Sequence, residues 1–176
     1  MRKKKTTVIQ NTSQIQLGGN VLVEVRQGKR TIKKMQIHNT GTLNLFRGIA
    51  FSLCSNSQPN LLPNFICAGT GKVGSNNPVT LTGLISPLNM IMESIKPINA
   101  PQIINNAQAR ITFEAFLPYS SIGSTTPIWE LGIYGNSTSY NNSMVARVEF
   151  PSAISLNKGQ SLYIQWTFSI ENVSSN

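Results

Sequence analysis

Apolar and polar residues alternate along much of this chain, most clearly over residues 109–117, 129–135, 145–151 and 162–170. In the first of these, Ile111, Phe113, Ala115 and Leu117 form one face and Arg110, Thr112 and Glu114 the other. That is the period of a strand with one side buried. The last stretch repeats it, with Leu162, Ile164, Trp166, Phe168 and Ile170 against Tyr163, Gln165, Thr167, Ser169 and Glu171. Near the start, Val21, Val23 and Val25 alternate with Leu22, Glu24 and Arg26, Gln27-Gly28-Lys29 supplies a turn, and 31–37 returns. This pattern predicts a β-hairpin. Shorter strands are expected over 64–68, 81–85 and 88–95, with Pro87, Pro97 and Pro101 marking edges or loops.

One segment changes period. Leu45 or Phe46, Ile49, Ala50 and Leu53 fall at i, i+3, i+4 and i+7 spacing, which predicts a helix over 43–54. Thr42 is its expected N-cap, and Arg47 projects away from the apolar stripe. Many short strands, turn-forming Gly, Pro and Asn and a single helix predict an all-β fold, an antiparallel β-sandwich of jelly-roll-like form. A parallel α/β fold is excluded because its crossover helices are missing. Residues 1–19, polar and ending on Gly18-Gly19, are expected to be an extended N-terminal arm, with 20–176 forming a single sandwich domain.

Composition narrows the chemistry. Charged residues are only 12% of the chain, aspartate is absent, and nineteen Asn with abundant Ser, Thr and Gln supply surface polarity. Such a surface opposes association less than a highly charged one. The net charge of +9 is regional: residues 1–34 carry nine basic groups against Glu24 alone. Arg2, Lys3, Lys4 and Lys5 in the arm and Lys29, Arg30, Lys33 and Lys34 on the outward face of the hairpin are the expected partner-binding cations. They point to an acidic neighbour or to sequence-blind contact with nucleic acid.

No window reaches the ~18 apolar residues of a membrane-spanning helix. The Arg2–Lys5 run leads into polar residues where a secretory signal would turn apolar, so synthesis in the cytoplasm is expected. Cys54 and Cys67 are then expected as free buried thiols.

Few groups can do chemistry. Glu114 and Glu130 are the pair to weigh for glycoside hydrolysis, but Glu114 shares a face with Arg110, and Glu149 with Arg147, as ion pairs on a sheet surface do. A nucleophilic pair would need the lone His38 with Cys54 or Cys67, and His38 stands where it would serve a turn. One His, two distant Cys and no Asp give no metal-ligand spacing. Gly69-Thr70-Gly71-Lys72-Val73-Gly74 resembles a phosphate loop, yet Ser75-Asn76-Asn77-Pro78 follows where a helix must open, and a mobile loop is expected. No catalytic residue, metal or cofactor is assigned. Trp129 and Trp166 are expected in the core, and loop tyrosines, chiefly Tyr134 and Tyr140, are the residues that could contact a glycan.

The order of motifs carries a resemblance. Gly69-Thr70-Gly71, Thr82-Gly83-Leu84 with Pro87-Leu88, Ala109-Arg110-Ile111-Thr112-Phe113, Glu130-Leu131-Gly132-Ile133-Tyr134, Val145-Ala146-Arg147 and Trp166-Thr167-Phe168 follow one another. In that succession the chain resembles small virion proteins of tailed bacteriophages. The hairpin followed by His38-Asn39-Thr40-Gly41 and Leu45-Phe46-Arg47 is similar to those of phages of gut bacteria, including the crAss-like group. The resemblance spans about residues 21–170 and implies a non-enzymatic structural protein of the virion. It would decorate the capsid or build part of the neck or tail, bound to copies of itself and to neighbouring virion proteins. Two other roles are carried forward: a tail or fibre adhesin for host glycans, and a small capsid protein whose basic arm neutralises nucleic acid.

Overall fold

The computed structural model describes residues 13–54, 61–72, 81, 83–88, 92–105, 108–122, 126–136 and 142–174. Its elements, in chain order, are β1 (Ser13–Gln27), β2 (Arg30–His38), β3 (Thr40–Gly41), α1 (Leu43–Leu53), β4 (Phe65–Gly69), β5 (Glu93–Ser94) and β6 (Lys96–Pro97). They continue with β7 (Gln102–Asn105), β8 (Gln108–Pro118), α2 (Tyr119–Ile122), β9 (Ile128–Tyr134), β10 (Met144–Ile154) and β11 (Gln160–Ser174). Two antiparallel sheets form a β-sandwich. The first has the order β2-β1-β11-β8-β6, with β7 also on β8, and the second β3-β10-β9-β4-β5. The strand order supports the sandwich and stops short of a jelly-roll assignment.

Alternation places the core where the sequence puts it. Val21, Val23 and Val25 of β1, Ala115 and Leu117 of β8 and Leu162, Ile164 and Trp166 of β11 are buried against Ile66, Leu131, Ile133, Val148 and Phe150 of the second sheet. At ~25 cal/mol per Å² of apolar surface, this continuous cluster is the main stabilising term.

The first sheet departs from expectation at the arm. Residues 13–19 are not a linker: β1 starts at Ser13 and pairs β11 without interruption from Ser13↔Ser174 to Gln27↔Gln160. Gly18-Gly19, read as the end of an arm, lies inside this ladder. A side chain at Gly19, where φ is +154°, would overlap the Thr167 carbonyl oxygen and sit 2.7 Å from Asn39 Oδ1. The glycine is there for close approach, not for a hinge. Residues 1–12, including Arg2, Lys3, Lys4 and Lys5, lie outside the described residues.

The helix forms as expected, but Thr42 does not cap it with its side chain. Its hydroxyl donates to the Met144 carbonyl at 2.6 Å, and Asn44 Nδ2 to the carbonyls of Asn142 and Met144 at 3.1 and 3.3 Å. These bonds fasten the helix start to β10. The buried side is Asn44, Leu45 and Gly48, with Ile49 partly covered, whereas Leu53 is 82% exposed. Gly48 lets the helix rest on Leu61, whose carbonyl oxygen would be 2.7 Å from an added Cβ.

The strands expected over 81–85 and 88–95 do not form among the described residues there. Only the bridge Gly69↔Pro87 and the two-residue β5 appear. The prolines and the carboxylate described below divert this segment from a ladder.

Gly19→Ala is expected to destabilise the fold by at least ~3 kcal/mol in urea denaturation, as a backbone clash in a core ladder does. Gly28→Ala, in the open hairpin turn at φ +59° with nothing within 4 Å, should cost only about 1 kcal/mol.

Candidate interaction surfaces

The second sheet is covered on both faces. Leu131 and Ile133 of β9 face the sandwich core, while Gly132 and Tyr134 meet a smaller cluster of Cys67, Leu84 and Met144, flanked by Phe65, Leu81 and Met92. The covering layer comes from the Gly69–Lys72 and 83–88 segments, and Glu130 holds it. This side chain is fully buried. Its Oε1 accepts the backbone N–H of Gly71 at 3.2 Å and of Ser86 at 3.0 Å, and its Oε2 that of Ile85 at 3.3 Å. Arg147, 3% exposed, donates to Oε2 from Nε at 2.9 Å and approaches it with Nη2 at 2.8 Å.

Arg147 Nη2 also meets Glu149 at 3.3 Å. Two carboxylates therefore share one guanidinium, and the three backbone donors balance the surplus negative charge on Glu130.

This corrects the sheet-surface reading of these charges. Strand β9 is apolar on both faces, so its one carboxylate is inside. Gly69-Thr70-Gly71 is neither a phosphate loop nor free of contacts: it is the seat of this carboxylate. An added Cβ at Gly69 would lie 2.6 Å from Glu130 Oε1, and one at Gly71 would run into Ile85. Thr70 N–H also donates to the Ser86 carbonyl at 2.8 Å.

Glu114 is remote from this site, on β8 of the other sheet, so the two carboxylates do not flank a common cleft. Nor does Glu114 pair with Arg110. It accepts the Tyr163 hydroxyl at 3.1 Å, and Arg110 donates to Gln102 at 3.2 Å.

Tyr134 cannot reach a glycan, being completely buried, and its hydroxyl oxygen accepts the Leu84 N–H at 2.9 Å. Burial holds its phenol protonated well above the ordinary range. Tyr140 lies outside the described residues. Trp166 is in the core, but Trp129 is only half-buried, with Lys72 Nζ 3.7 Å from its ring centroid. Cys67 is buried and Cys54 is exposed, correcting the expectation that both thiols are covered, and His38 is exposed at the end of β2. Among the described residues no cluster of three or more His, Cys, Asp or Glu could hold a metal ion, and no helix is long and apolar enough to cross a membrane.

Among the described residues two surfaces remain, at opposite ends of β1. The hairpin carries Lys29, Arg30, Lys33 and Lys34, all exposed. Lys33 and Lys34 are consecutive and project to opposite sides of the ribbon, so the cations surround the hairpin and do not form one outward face. Lys34 Nζ reaches Glu24 at 3.5 Å. The Arg26 guanidinium, which also bonds Glu24 and lies 3.6 Å over the Tyr163 ring, holds the Glu24 carboxyl below the usual range. That contribution is present above the unfolded carboxyl range near pH ~4 and is lost as pH falls through the depressed folded value.

At the other end lies an apolar groove of about 570 Å³. Leu17, Ile111, Phe168 and Ile170 form its floor on the inner face of the first sheet, and Leu45, Ile49, Leu61 and Pro101 stand among its walls. No residue of β4, β9 or β10 lines it, so this end of the first sheet overhangs the second. Arg110 is its one charged lining residue. Leu62 of the lining is itself 41% exposed, and Phe46, Leu53, Ile98 and Ile103, close in sequence to lining residues, are exposed apolar side chains as well. An open apolar groove of this kind is a candidate contact site. Sequence reasoning missed it because its residues come from six separated segments, although the uncovered Ile103-Ile104 pair and Leu53 were visible signals.

Comparison with protein-family models, with curated proteins and with solved structures gave no match.

Glu130→Gln should destabilise the chain by ~3–5 kcal/mol, the usual result of removing one partner of a buried ion pair. Replacing the pair together, Glu130→Leu with Arg147→Met, should not restore stability as it does for self-contained pairs, because the N–H groups of Gly71, Ile85 and Ser86 lose their acceptor. Faster amide exchange at those three positions is the accompanying signature. Tyr134→Phe should cost ~1–3 kcal/mol through the unpaired Leu84 N–H. In the wild type, the Tyr134 contribution is complete below the unfolded phenol value near pH ~10 and is lost as pH rises toward the folded value, a component of the alkaline slope that Tyr134→Phe removes.

Proposed function

We propose that this chain is a non-enzymatic structural subunit of a tailed-phage virion, a decoration or auxiliary protein of the capsid. The observation that carries the assembly reading is the separation of a basic hairpin from an apolar groove at the two ends of one continuous sheet. About eleven residues separate Gln16 from Gln27, which at ~3.4 Å each is roughly 37 Å. A rigid body with different contact chemistry at each end is suited to bridging two neighbours. The virion setting is supported by the ordered motifs that resemble phage structural proteins, and with it goes synthesis in the host cytoplasm.

The burial of Tyr134 removes one of the two side chains on which a glycan-binding reading rested. The nucleic-acid reading keeps support from the hairpin, whose cations are open on both sides and suit phosphate contacts without base readout. In a decoration protein the same cations would meet an acidic capsid surface.

Mass spectrometry of density-purified particles should recover the chain in stoichiometric amount, and its absence would remove the virion reading. Neutralising the hairpin by Lys29→Gln, Arg30→Gln, Lys33→Gln and Lys34→Gln should lower incorporation several-fold at ~0.15 M salt while leaving the fold intact, since screened surface charges contribute little to stability. Unchanged incorporation would show that the hairpin is not a contact.

A further inference from the structure

At its hairpin end, the outer face of the first sheet carries an exposed aromatic ring beside the cations. Ala115 and Leu117 of β8 are buried in the core, so Phe116 between them projects outward, and it is 54% exposed. Its partner in the ladder is Tyr163 of β11, which lies opposite Glu24 of β1, and Glu24 lies opposite Lys34 of β2. Lys34, Glu24, Tyr163 and Phe116 therefore form one row across four strands, about 14 Å long at ~4.8 Å per strand.

Tyr163 is fixed within that row. Its hydroxyl donates to Glu114 Oε2 at 3.1 Å and accepts from Gln165 Nε2 at 2.9 Å, and the Arg26 guanidinium lies 3.6 Å over its ring. Arg26 is thereby held over the strand next to Phe116, with its side chain 31% exposed.

The turn joining β10 to β11 adds a cation. Gln27 pairs with both Arg30 and Gln160, so the turns holding Lys29 and Lys158 stand side by side, and Lys158 is exposed. Arg26, Lys29, Arg30, Lys33, Lys34 and Lys158 thus share this corner, and among the described residues Glu24 is the carboxylate set between them. Glu114, in the next outward row, lies opposite Lys96 of β6.

We infer that this corner binds single-stranded nucleic acid, with an unpaired base stacked on Phe116 and the flanking phosphates on Arg26, Lys34 and the cations of the two turns. The ring decides between polyanions. Cations alone would serve an acidic protein surface as well as a phosphate backbone, but the face of an aromatic ring is negative, so it repels a carboxylate and stacks with a base. A duplex keeps its bases stacked internally, and only a single strand offers one. Such contacts read no sequence, because every base has a π-face and lysine and arginine meet phosphate alone.

The site goes beyond the structural-subunit reading and does not depend on the virion setting. A chain absent from particles would remove the subunit and leave the site, whereas oligonucleotide binding lost with incorporation intact would do the reverse.

Fluorescence anisotropy of the full chain with labelled oligo(dT), oligo(rU) and a DNA duplex of equal length, at ~0.05 M salt where screening is weak, tests it. Both single strands should bind alike and more tightly than the duplex. Phe116→Leu, at an exposed position, should weaken single-strand binding about tenfold, the effect of losing one stacked base. Duplex binding and circular dichroism should stay unchanged, and Phe116→Trp should keep the affinity. Lys29→Gln, Arg30→Gln and Lys158→Gln together should lower the slope of log affinity against log salt by about 2, at ~0.7 per phosphate contact of a single strand. The arm cations are separated by Arg2→Gln, Lys3→Gln, Lys4→Gln and Lys5→Gln, and the loss caused by Phe116→Leu should persist in that background.

Absence of single-strand binding, binding that Phe116→Leu leaves unchanged, or binding lost wholly with the arm cations overturns the inference. So does polyglutamate binding as tightly as the oligonucleotides, which would mark an acidic protein surface as the partner.

Discussion

The uninterrupted pairing of β1 with β11 along fifteen residues is the constraint on which the other features depend. It makes the first sheet longer than the second, so one end of its inner face is left without a facing strand. The overhang creates the groove at Leu17, Phe168 and Ile170 and carries the basic hairpin to the far end, and among the described residues β1 has β11 as its one neighbouring strand from Ser13 to Gly18. Gly19 is the local condition for this ladder, because any side chain there would meet the Thr167 backbone.

The second sheet solves the opposite problem. Both of its faces are covered, and covering the outer one with irregular chain requires acceptors for backbone N–H groups that no strand pairs. Glu130 provides them, and Arg147 makes burial of that charge tolerable. Ion pairs of this sort are often replaceable by apolar residues, but this carboxylate also terminates three backbone donors, and its removal costs the covering layer as well as the pair. The charged groups Glu130 and Arg147 of the two alternating segments on the second sheet are thus spent inside the fold. Among the described residues, the two candidate partner surfaces lie at the two ends of the first sheet.

The sandwich, the hairpin, the helix and most of the core were legible in the sequence, because a period of two with apolar residues on one side leaves little freedom in the choice of face. Gly18-Gly19 was misread because paired glycines mark linkers and close approaches alike, and only the position of Thr167 distinguishes the two. The role of Glu130 was not legible because its partners Gly71, Ile85 and Ser86 are 44 to 59 residues away. The signal for its burial was nevertheless present: Leu131 and Ile133 are apolar on one face, and Gly132 and Tyr134 leave no solvent face on the other. The groove was illegible because a cleft built from the ends of separate elements has no period.

The account's central claim is that the buried Glu130 carboxylate, held by Arg147, is what keeps the covering segments on the second sheet. Hydrogen exchange of the wild type and of Glu130→Gln, compared residue by residue, addresses it directly. Protection at Gly71, Ile85 and Ser86 should fall further than protection in the β1–β11 ladder. A loss of protection spread evenly over both sheets, or none at those three amides, would contradict it.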